Sequence, residues 1–222
     1  QLDERCISFG HYERTGAPSR FNPKDNQISD PELQKFSGIA LGAVKHRMNQ
    51  TVSAMGRVQL KYYPERIAVI QKALNRFWAG LRDVPGLRPH RIDLTEGSTM
   101  GGWYYPHGLY RSSELGGLSC EKFCEAVRAE GFSGCLPGAN KPLHLHPFFH
   151  EADIFRQGRR TCLAFGQRDV RQGKGSLPVS EKIDEICFTV PWFKHDDESA
   201  ISRYVEAFCK SAAGYEKLLG KI

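Results

Sequence analysis

Ionisable side chains are densest in residues 141–153, a short stretch that contains three histidines, a glutamate and an aspartate. On an extended segment His144 and His146 point the same way, so that with His150 or Asp153 they could bind a divalent metal ion. Two prolines stiffen the stretch, and a rigid loop that carries imidazoles is equally suited to line a substrate cleft. We favour a cleft lining, with metal binding and ordinary packing as the alternatives.

A second candidate site consists of three potential cations, Lys45, His46 and Arg47, which stand directly before a predicted helix start at Asn49. The first amides of a helix have no partner within it, so these amides and the cationic side chains could converge on one anion. Phosphate is the simplest such anion. Composition alone leaves open the alternative that Lys45 and Arg47 lie in an exposed turn.

The seven cysteines follow no regular spacing, and an odd number in a chain of 222 residues argues against a disulfide scaffold. Cys120 and Cys124 lie on one predicted helix, and no second Cys/His pair at zinc spacing accompanies them. We therefore predict that both are buried thiols. The other cysteines have no neighbouring motif that would make them nucleophiles.

Two basic stretches, residues 156–160 and 168–175, combine arginines with glycines and could clamp phosphate oxygens. Neither is a phosphate loop, because the required Gly-Lys-Ser/Thr ending is missing. The sequence favours solvated surface turns instead. The stretches also lack the interleaved aromatic residues that a nucleic-acid-binding surface would need.

The overall composition is that of an ordinary globular protein, with 40% hydrophobic and 25% charged residues. The formal net charge of +6 suits an anionic ligand but is small for a dedicated nucleic-acid-binding protein. The sequence has no run of about 18 apolar residues, and its first residues are charged where a signal peptide would be apolar. We therefore expect a cytoplasmic protein without nucleic-acid or membrane partners.

Helices and short strands alternate in a way that predicts an α/β or α+β fold. The longest predicted helix begins at Asn49, continues past Pro64 and buries an apolar stripe in its second half. In its first half Val52, Met55 and Leu60 share a face. The other predicted elements are a helix from residues 29–32 to about residues 38–42, helices at 119–131 and 199–219, and strands at 91–94, 103–110, 132–136, 161–165 and 186–190.

Several segments together resemble the DegT/StrS family of sugar aminotransferases. The run from Lys45 to Leu60 is similar to a Gly-x-Asn-x-Arg-Met-like turn of that family, which leads into a helix with small residues and a terminal Gln-Leu. Residues 9–14 resemble the Gly-centred segment upstream of this turn, and residues 63–67 resemble the start of the interdomain helix. Segments similar to the later small domain are residues 103–110, 123–131, 142–149 and 177–195.

The resemblance implies the fold of the aspartate-aminotransferase group, in which a large domain around a mostly parallel sheet is followed by a smaller C-terminal α/β domain. Members work as dimers with shared active sites, and this chain matches only the second half. We therefore expect residues 1–48 to be the end of the large cofactor-binding domain and its loops. Residues 49–82 would be the interdomain spine helix, and residues 83–222 a small C-terminal domain with a small mixed sheet covered by helices.

The resemblance also implies pyridoxal 5'-phosphate (PLP) as cofactor. Lys45 and Arg47 match positions that contact the cofactor phosphate or a substrate anion, although the family commonly has Asn where Lys45 stands. His107, His144 and His146 are expected to line the sugar side. The family's Schiff-base lysine lies in a Ser-Phe-x-x-x-Lys-like segment that this sequence lacks, so we expect neither a catalytic residue nor a metal site in this chain.

We expect the chain to be the C-terminal portion of a PLP-dependent aminotransferase. The enzyme would transfer an amino group from glutamate or glutamine to a keto sugar or a keto cyclitol, and a nucleotide-linked keto sugar is the preferred acceptor. The chain alone would be inactive, whether as a fragment, a split subunit or a degenerate homologue; the full-length parent would be a homodimer. Two alternatives stay open: a non-catalytic module that binds a sugar nucleotide or a partner subunit, and a metal-dependent hydrolase built on the histidines of residues 144–153.

Overall fold

The computed structural model describes residues 4–5, 28–36, 49–90, 102–138, 141–153, 156–160 and 166–220. The chain divides into two compact units. The first unit consists of Gln1–Met48 and Pro142–Leu177, and the second unit consists of Asn49–Lys141 and Pro178–Ile222. The first boundary falls where the sequence predicts the start of the spine helix, whereas the assignment of the segments to a large and a small domain stays a prediction.

The described elements follow one another as short helices and strands around one long helix. In chain order they are α1 (Pro31–Gln34), α2 (Gln50–Gly80), β1 (Leu87–Pro89), β2 (His107–Tyr110), α3 (Cys120–Ala129), α4 (Pro147–His150), α5 (Pro178–Glu181), α6 (Ile183–Ile186), β3 (Cys187–Thr189), α7 (Glu198–Ala213) and α8 (Tyr215–Leu218), with 3-10 turns at Ser112–Leu115 and Leu143–Leu145. The predicted combination of helices with a small sheet is confirmed.

The spine helix α2 begins where the sequence predicts. The Asn49 side chain accepts a hydrogen bond of 2.8 Å from the amide of Val52, which satisfies one of the unpaired donors of the first turn. The helix continues through Pro64 for 31 residues. Only its second half is buried, and the predicted apolar face of its first half is exposed, with Met55 60% and Leu60 70% accessible.

Four phenylalanines form the centre of the second unit. Phe77 on α2, Phe123 on α3, Phe188 on β3 and Phe208 on α7 are all fully buried. The ring centroid of Phe208 lies 5.3 Å from that of Phe77, 5.9 Å from that of Phe188 and 6.1 Å from that of Phe123. Such tilted and edge-on contacts are the geometry that aromatic pairs prefer. The rings therefore join α2, α3, α7 and the sheet into one core.

The described strands form an antiparallel sheet in the order β1-β2-β3. At its centre Gly108 is paired with Pro89 on one side and Phe188 on the other. A Cβ atom at Gly108 would lie 2.5 Å from the Phe188 ring and 2.6 Å from the Trp78 ring. Glycine is therefore required here, because only a residue without a side chain lets β2 approach α2 this closely.

Two of the predicted strands are confirmed in shortened form, and one is wrong. Of the strand predicted at 103–110, only the last four residues (β2) form a strand. Of the strand predicted at 186–190, the three residues of β3 form a strand. Residues 132–136 form a turn instead, because the Thr189 hydroxyl on β3 donates to the carbonyl of Gly134 and accepts from the amide of Leu136. Residues 91–94 and 161–165 lie outside the described residues.

In the first unit, α1 begins as predicted but is shorter than predicted. The Asp30 side chain accepts from the amide of Glu32 at 2.9 Å, and Pro31 occupies the first turn. The helix ends at Gln34 rather than near residues 38–42. The reason is that the amide of Phe36 bonds to the carbonyl of Leu33, three residues back, which tightens the turn and ends the α-helical ladder.

An ion network ties α2 to the segment that leads into α7. The Asp196 carboxylate is 2.7 Å from Nζ of Lys72 and 2.9 Å from Nε of Arg76, and Arg76 also lies 3.2 Å from Glu198. The hydrogen bonds from Arg76 and Lys72 lower the pKa of Asp196 to about 2. Asp197 then caps α7 by accepting from the amide of Ala200 at 3.0 Å.

Within the described residues, no helix has both the length and the apolar content that crossing a bilayer requires. The cytoplasmic location expected from the sequence stays a prediction.

The substitution Phe208→Ala should lower the free energy of unfolding of the second unit by about 3–5 kcal/mol, because it removes the ring that contacts three other buried phenylalanines. Urea denaturation followed by circular dichroism measures the change. Met55→Ala serves as the control and should cost less than about 0.5 kcal/mol, because Met55 is largely exposed. Equal effects of the two substitutions would contradict the assigned core.

The substitution Asp196→Asn should lower the urea midpoint at neutral pH and make stability less dependent on pH. A carboxylate with a depressed pKa contributes stability above its unfolded pKa of about 3.9, and this contribution is lost as the pH falls through the folded value. The difference between wild type and variant should therefore shrink as the pH falls from about 4 towards 2. Asp197→Asn is the matched control, since asparagine caps a helix as well as aspartate does.

Candidate functional site

The imidazole of His107, at the start of β2, is held in one orientation by a backbone carbonyl two residues before it. Its Nδ1 lies 2.7 Å from the carbonyl oxygen of Tyr105. A carbonyl can only accept, so Nδ1 carries the proton and donates, which leaves Nε2 as a hydrogen-bond acceptor. The Tyr105 ring stands edge-on to the imidazole with the centroids 4.6 Å apart. The ring is therefore fixed in both tautomer and orientation.

The Nε2 atom of His107 is buried and has no hydrogen-bond partner among the described residues. Burial lowers the pKa of His107 below its ordinary value, and the nearby imidazole of His90 lowers it further, whereas the Tyr105 carbonyl opposes the shift. A neutral imidazole with an unused acceptor is suited to receive a hydrogen bond from a hydroxyl or amide of a ligand. The sugar-side role expected of His107 stays a prediction.

His90 is a neighbour of His107 that the sequence analysis missed. The register of β1 and β2 pairs Pro89 with Gly108, and continuing it by one residue sets His90 opposite His107. The sequence prediction included no strand at Leu87–Pro89 and therefore did not indicate this neighbour; the strand predicted at 91–94 lies outside the described residues. The turn-forming pair Pro85-Gly86 was the feature of the sequence that could have indicated a strand starting at Leu87.

The segment before β2 is anchored to the spine helix. The indole Nε1 of Trp103 donates to Oε1 of Gln71 on α2 at 2.9 Å. The backbone of Pro106 accepts from the amide of Val190, just after β3. These contacts hold residues 103–106 in place, and with them the Tyr105 carbonyl that orients His107.

His144 and His146 lie in the first unit, and the segment that carries them is not extended as expected. A 3-10 turn at Leu143–Leu145 includes His144, and His146 precedes α4. The cause is local, because the amides of Leu145 and His146 bond to the carbonyls three residues before them. The geometry on which the metal alternative rested, with both imidazoles on one face of a strand, is therefore wrong.

The possible third metal ligands of that stretch have other partners. Nε2 of His150 lies 2.6 Å from the carbonyl oxygen of His144. The Asp153 carboxylate accepts from the amides of Gln157 and Gly158 at 3.1 and 2.8 Å. Across the described residues, no group of three or more His, Cys, Asp or Glu side chains is placed to hold a metal ion. The described geometry gives the metal-dependent hydrolase no support.

Lys45 and Arg47, the predicted phosphate contacts, lie outside the described residues. Their role stays a prediction. The structure describes the residue that follows this turn, Asn49, and confirms that a helix begins there.

A model of the DegT/DnrJ/EryC1/StrS aminotransferase family matches residues 24–208, which is most of the chain. The chain belongs to this family. The resemblance inferred from the sequence is thereby confirmed, and the match spans all the described elements from α1 to most of α7.

Among solved structures, the chain is similar to "E coli GDP-4-keto-6-deoxy-D-mannose-3-dehydratase with bound hydrated PLP". The TM-score is 0.51 at 17% sequence identity, over 91% of this chain and 46% of that one. The likeness shows a shared fold, and the chain spans about half the length of that enzyme. The search of curated proteins finds no match.

Of the five thiols that the structure describes, four are buried and Cys209 is partly exposed. Cys120, Cys124, Cys135 and Cys187 are buried, and Cys120 Sγ donates to the carbonyl of Cys187 at 3.4 Å. The hydrogen bond with Cys124 and burial raise the pKa of Cys120, and burial raises the pKa of Cys187 to about 11. The predicted core role of Cys120 and Cys124 is confirmed, since protonated thiols are poor nucleophiles.

The pKa of His107 should be measurable below its ordinary value of about 6.5 by NMR titration of the histidine ring protons, with His107→Gln identifying the resonance. Because the folded pKa is depressed, the group contributes stability above about pH 6.5 that is lost as the pH falls through the folded value. Stability should therefore depend less on pH in His107→Gln than in wild type. A measured pKa above the ordinary value would contradict the buried, neutral imidazole.

Proposed function

We propose that this chain is the C-terminal portion of a PLP-dependent aminotransferase that transfers an amino group from glutamate or glutamine to a keto sugar or keto cyclitol, with a nucleotide-linked keto sugar as the preferred acceptor. The observation that carries the proposal is the family match over residues 24–208. The PLP bound to the solved neighbour of similar fold supports the choice of cofactor. The active parent would be a homodimer.

When bound, PLP supplies an electron-withdrawing ring that stabilises negative charge at the carbon that loses a proton. In this proposal Lys45 and Arg47 hold the phosphate of the cofactor, since both donate charge-assisted hydrogen bonds. The sequence contains no Ser-Phe-x-x-x-Lys segment, and its nearest counterpart, Ser8 to Glu13, has glutamate in the place of the lysine. The proposal therefore names no anchoring lysine in this chain. This chain contributes binding and orientation to the site.

His107 is proposed to contact the sugar. Its Nε2 is a buried acceptor with no donor among the described residues, and sugar hydroxyls are donors. A hydrogen bond from a ligand would remove the cost of leaving this atom unpaired. His144 and His146 are proposed as further sugar-side residues, on the strength of the family resemblance alone.

Amino transfer and dehydration are two outcomes of similar chemistry, and the solved neighbour is a dehydratase by its name. The protein from the whole reading frame should convert more than one equivalent of glutamate or glutamine to the corresponding keto acid only when a keto sugar is supplied. Loss of water from the sugar without consumption of glutamate would show that the protein is a dehydratase instead.

The 222-residue chain should bind PLP reversibly, and the double variant Lys45→Gln/Arg47→Gln should bind it at least about tenfold more weakly, because two charge-assisted contacts are lost. Quenching of intrinsic fluorescence measures the affinity. Lys122→Gln/Arg203→Gln carries the same charge change at exposed positions of α3 and α7 and should bind like wild type.

Borohydride reduction of the same mixture, followed by peptide mass mapping, tests the role of Lys45. We expect no stoichiometric adduct at this residue. A full adduct there would mean that Lys45 is the anchoring lysine and that the proposed phosphate contact is wrong.

A further inference from the structure

Nearly all the excess positive charge of the chain lies in one short segment. Residues 156–177 contain five arginines, one lysine and a single acidic residue, Asp169, so that they carry a net charge of +5. The whole chain carries +6, which leaves a net charge of only +1 for all other residues. Such a concentration of charge indicates a surface for an anionic partner.

The structure brings the two basic stretches together. An Nη2 donor of Arg159 bonds to the carbonyl of Gly166 at 2.9 Å, which closes the first stretch onto the second. Arg160 is close enough to Asp169 to contribute to the lowering of that carboxyl's pKa, after the larger effect of the hydrogen bonds from Arg171. We call residues 156–160 and 166–174 the basic surface. Every one of these residues is exposed.

Three of the six cations on the basic surface are available to an outside partner. Arg171 is occupied by Asp169, since its Nε lies 2.9 Å and 3.0 Å from the two carboxylate oxygens. At the base of the first stretch, Asp153 uses both oxygens on backbone amides. Arg160, Arg168 and Lys174 form no ion pair with any residue that the structure describes.

The residue types on the basic surface indicate which anion it fits. Arginine outnumbers lysine five to one in the segment, and the guanidinium group is suited to phosphate oxygens. The described part of the segment has no aromatic side chain on which the bases of a single-stranded nucleic acid could stack. It does expose apolar side chains among the cations, with Val170 59% and Leu177 42% accessible. Cations interleaved with exposed apolar residues are typical of surfaces that bind lipid head groups.

In contrast to the expectation from the sequence that the protein has no membrane partner, we propose that the basic surface docks on an anionic lipid membrane. The phosphates of the lipid head groups are bound by Arg160, Arg168 and Lys174, and Val170 enters the interface. Peripheral docking requires only surface charge and shallow apolar contact, so it does not depend on a bilayer-crossing helix, of which the described residues have none. The proposal is independent of amino transfer, since it involves none of the residues assigned to cofactor or sugar.

The test is sedimentation of the 222-residue chain with vesicles. Wild type should bind vesicles of phosphatidylcholine with about 30% phosphatidylglycerol but not pure phosphatidylcholine, and about 0.5 M salt should release it. The triple variant Arg160→Gln/Arg168→Gln/Lys174→Gln should bind on the order of a hundredfold more weakly, at about fivefold per lost cation. Val170→Ser should weaken binding to a smaller extent.

The matched control is Lys122→Gln/Arg203→Gln/Lys217→Gln, which makes the same change in net charge at exposed positions of the second unit. It should bind anionic vesicles like wild type. Failure of wild type to bind, or an equal loss in the control, would overturn the proposal. Tighter binding of inorganic tripolyphosphate or single-stranded RNA than of vesicles would overturn the assignment to lipid.

Discussion

The packing of four phenylalanine rings where α2, α3, β3 and α7 meet is the constraint on which the second unit depends. These elements are far apart in sequence, and the short strands and one-turn helices between them are too small to be stable alone. Burial of the rings gives each element a partner. The ion network around Asp196 adds a polar connection between α2 and α7 at the edge of the same contact.

Packing against this core holds the segment around His107 in place. Gly108 lies against the rings of Phe188 and Trp78, so the strand that follows His107 cannot move without disturbing the phenylalanine cluster. The preceding segment is held by Trp103 and Gln71. His107 is thus fixed on both sides, and its buried acceptor is positioned before any ligand arrives. Such preorganisation reduces the ordering cost of binding.

The family match and the excess positive charge concern overlapping parts of the chain. The match to the DegT/DnrJ/EryC1/StrS family covers residues 24–208, which include the spine helix, the core and the basic surface. The basic surface lies in the first unit and is wholly exposed. The exposed apolar residues on the first half of α2 also lie within the match, and the described residues do not cover them.

Local chemistry determined those parts of the protein that the sequence predicted correctly. Asn49 and Ser119 are effective helix caps, the stripe from Ile67 to Leu81 repeats at helical spacing, and the family segments could be recognised from their residues. The strand at Leu87–Pro89 has too few residues to show an alternation of apolar and polar side chains. Residues 132–136 have the sequence pattern of a strand, but the hydrogen bond from the Leu136 amide to the Thr189 hydroxyl holds them in a turn. The burial of His107 Nε2 and the proximity of His90 to His107 were decided by tertiary structure alone. Each depends on contacts between residues distant in the chain, whose free energy is absent from any local pattern.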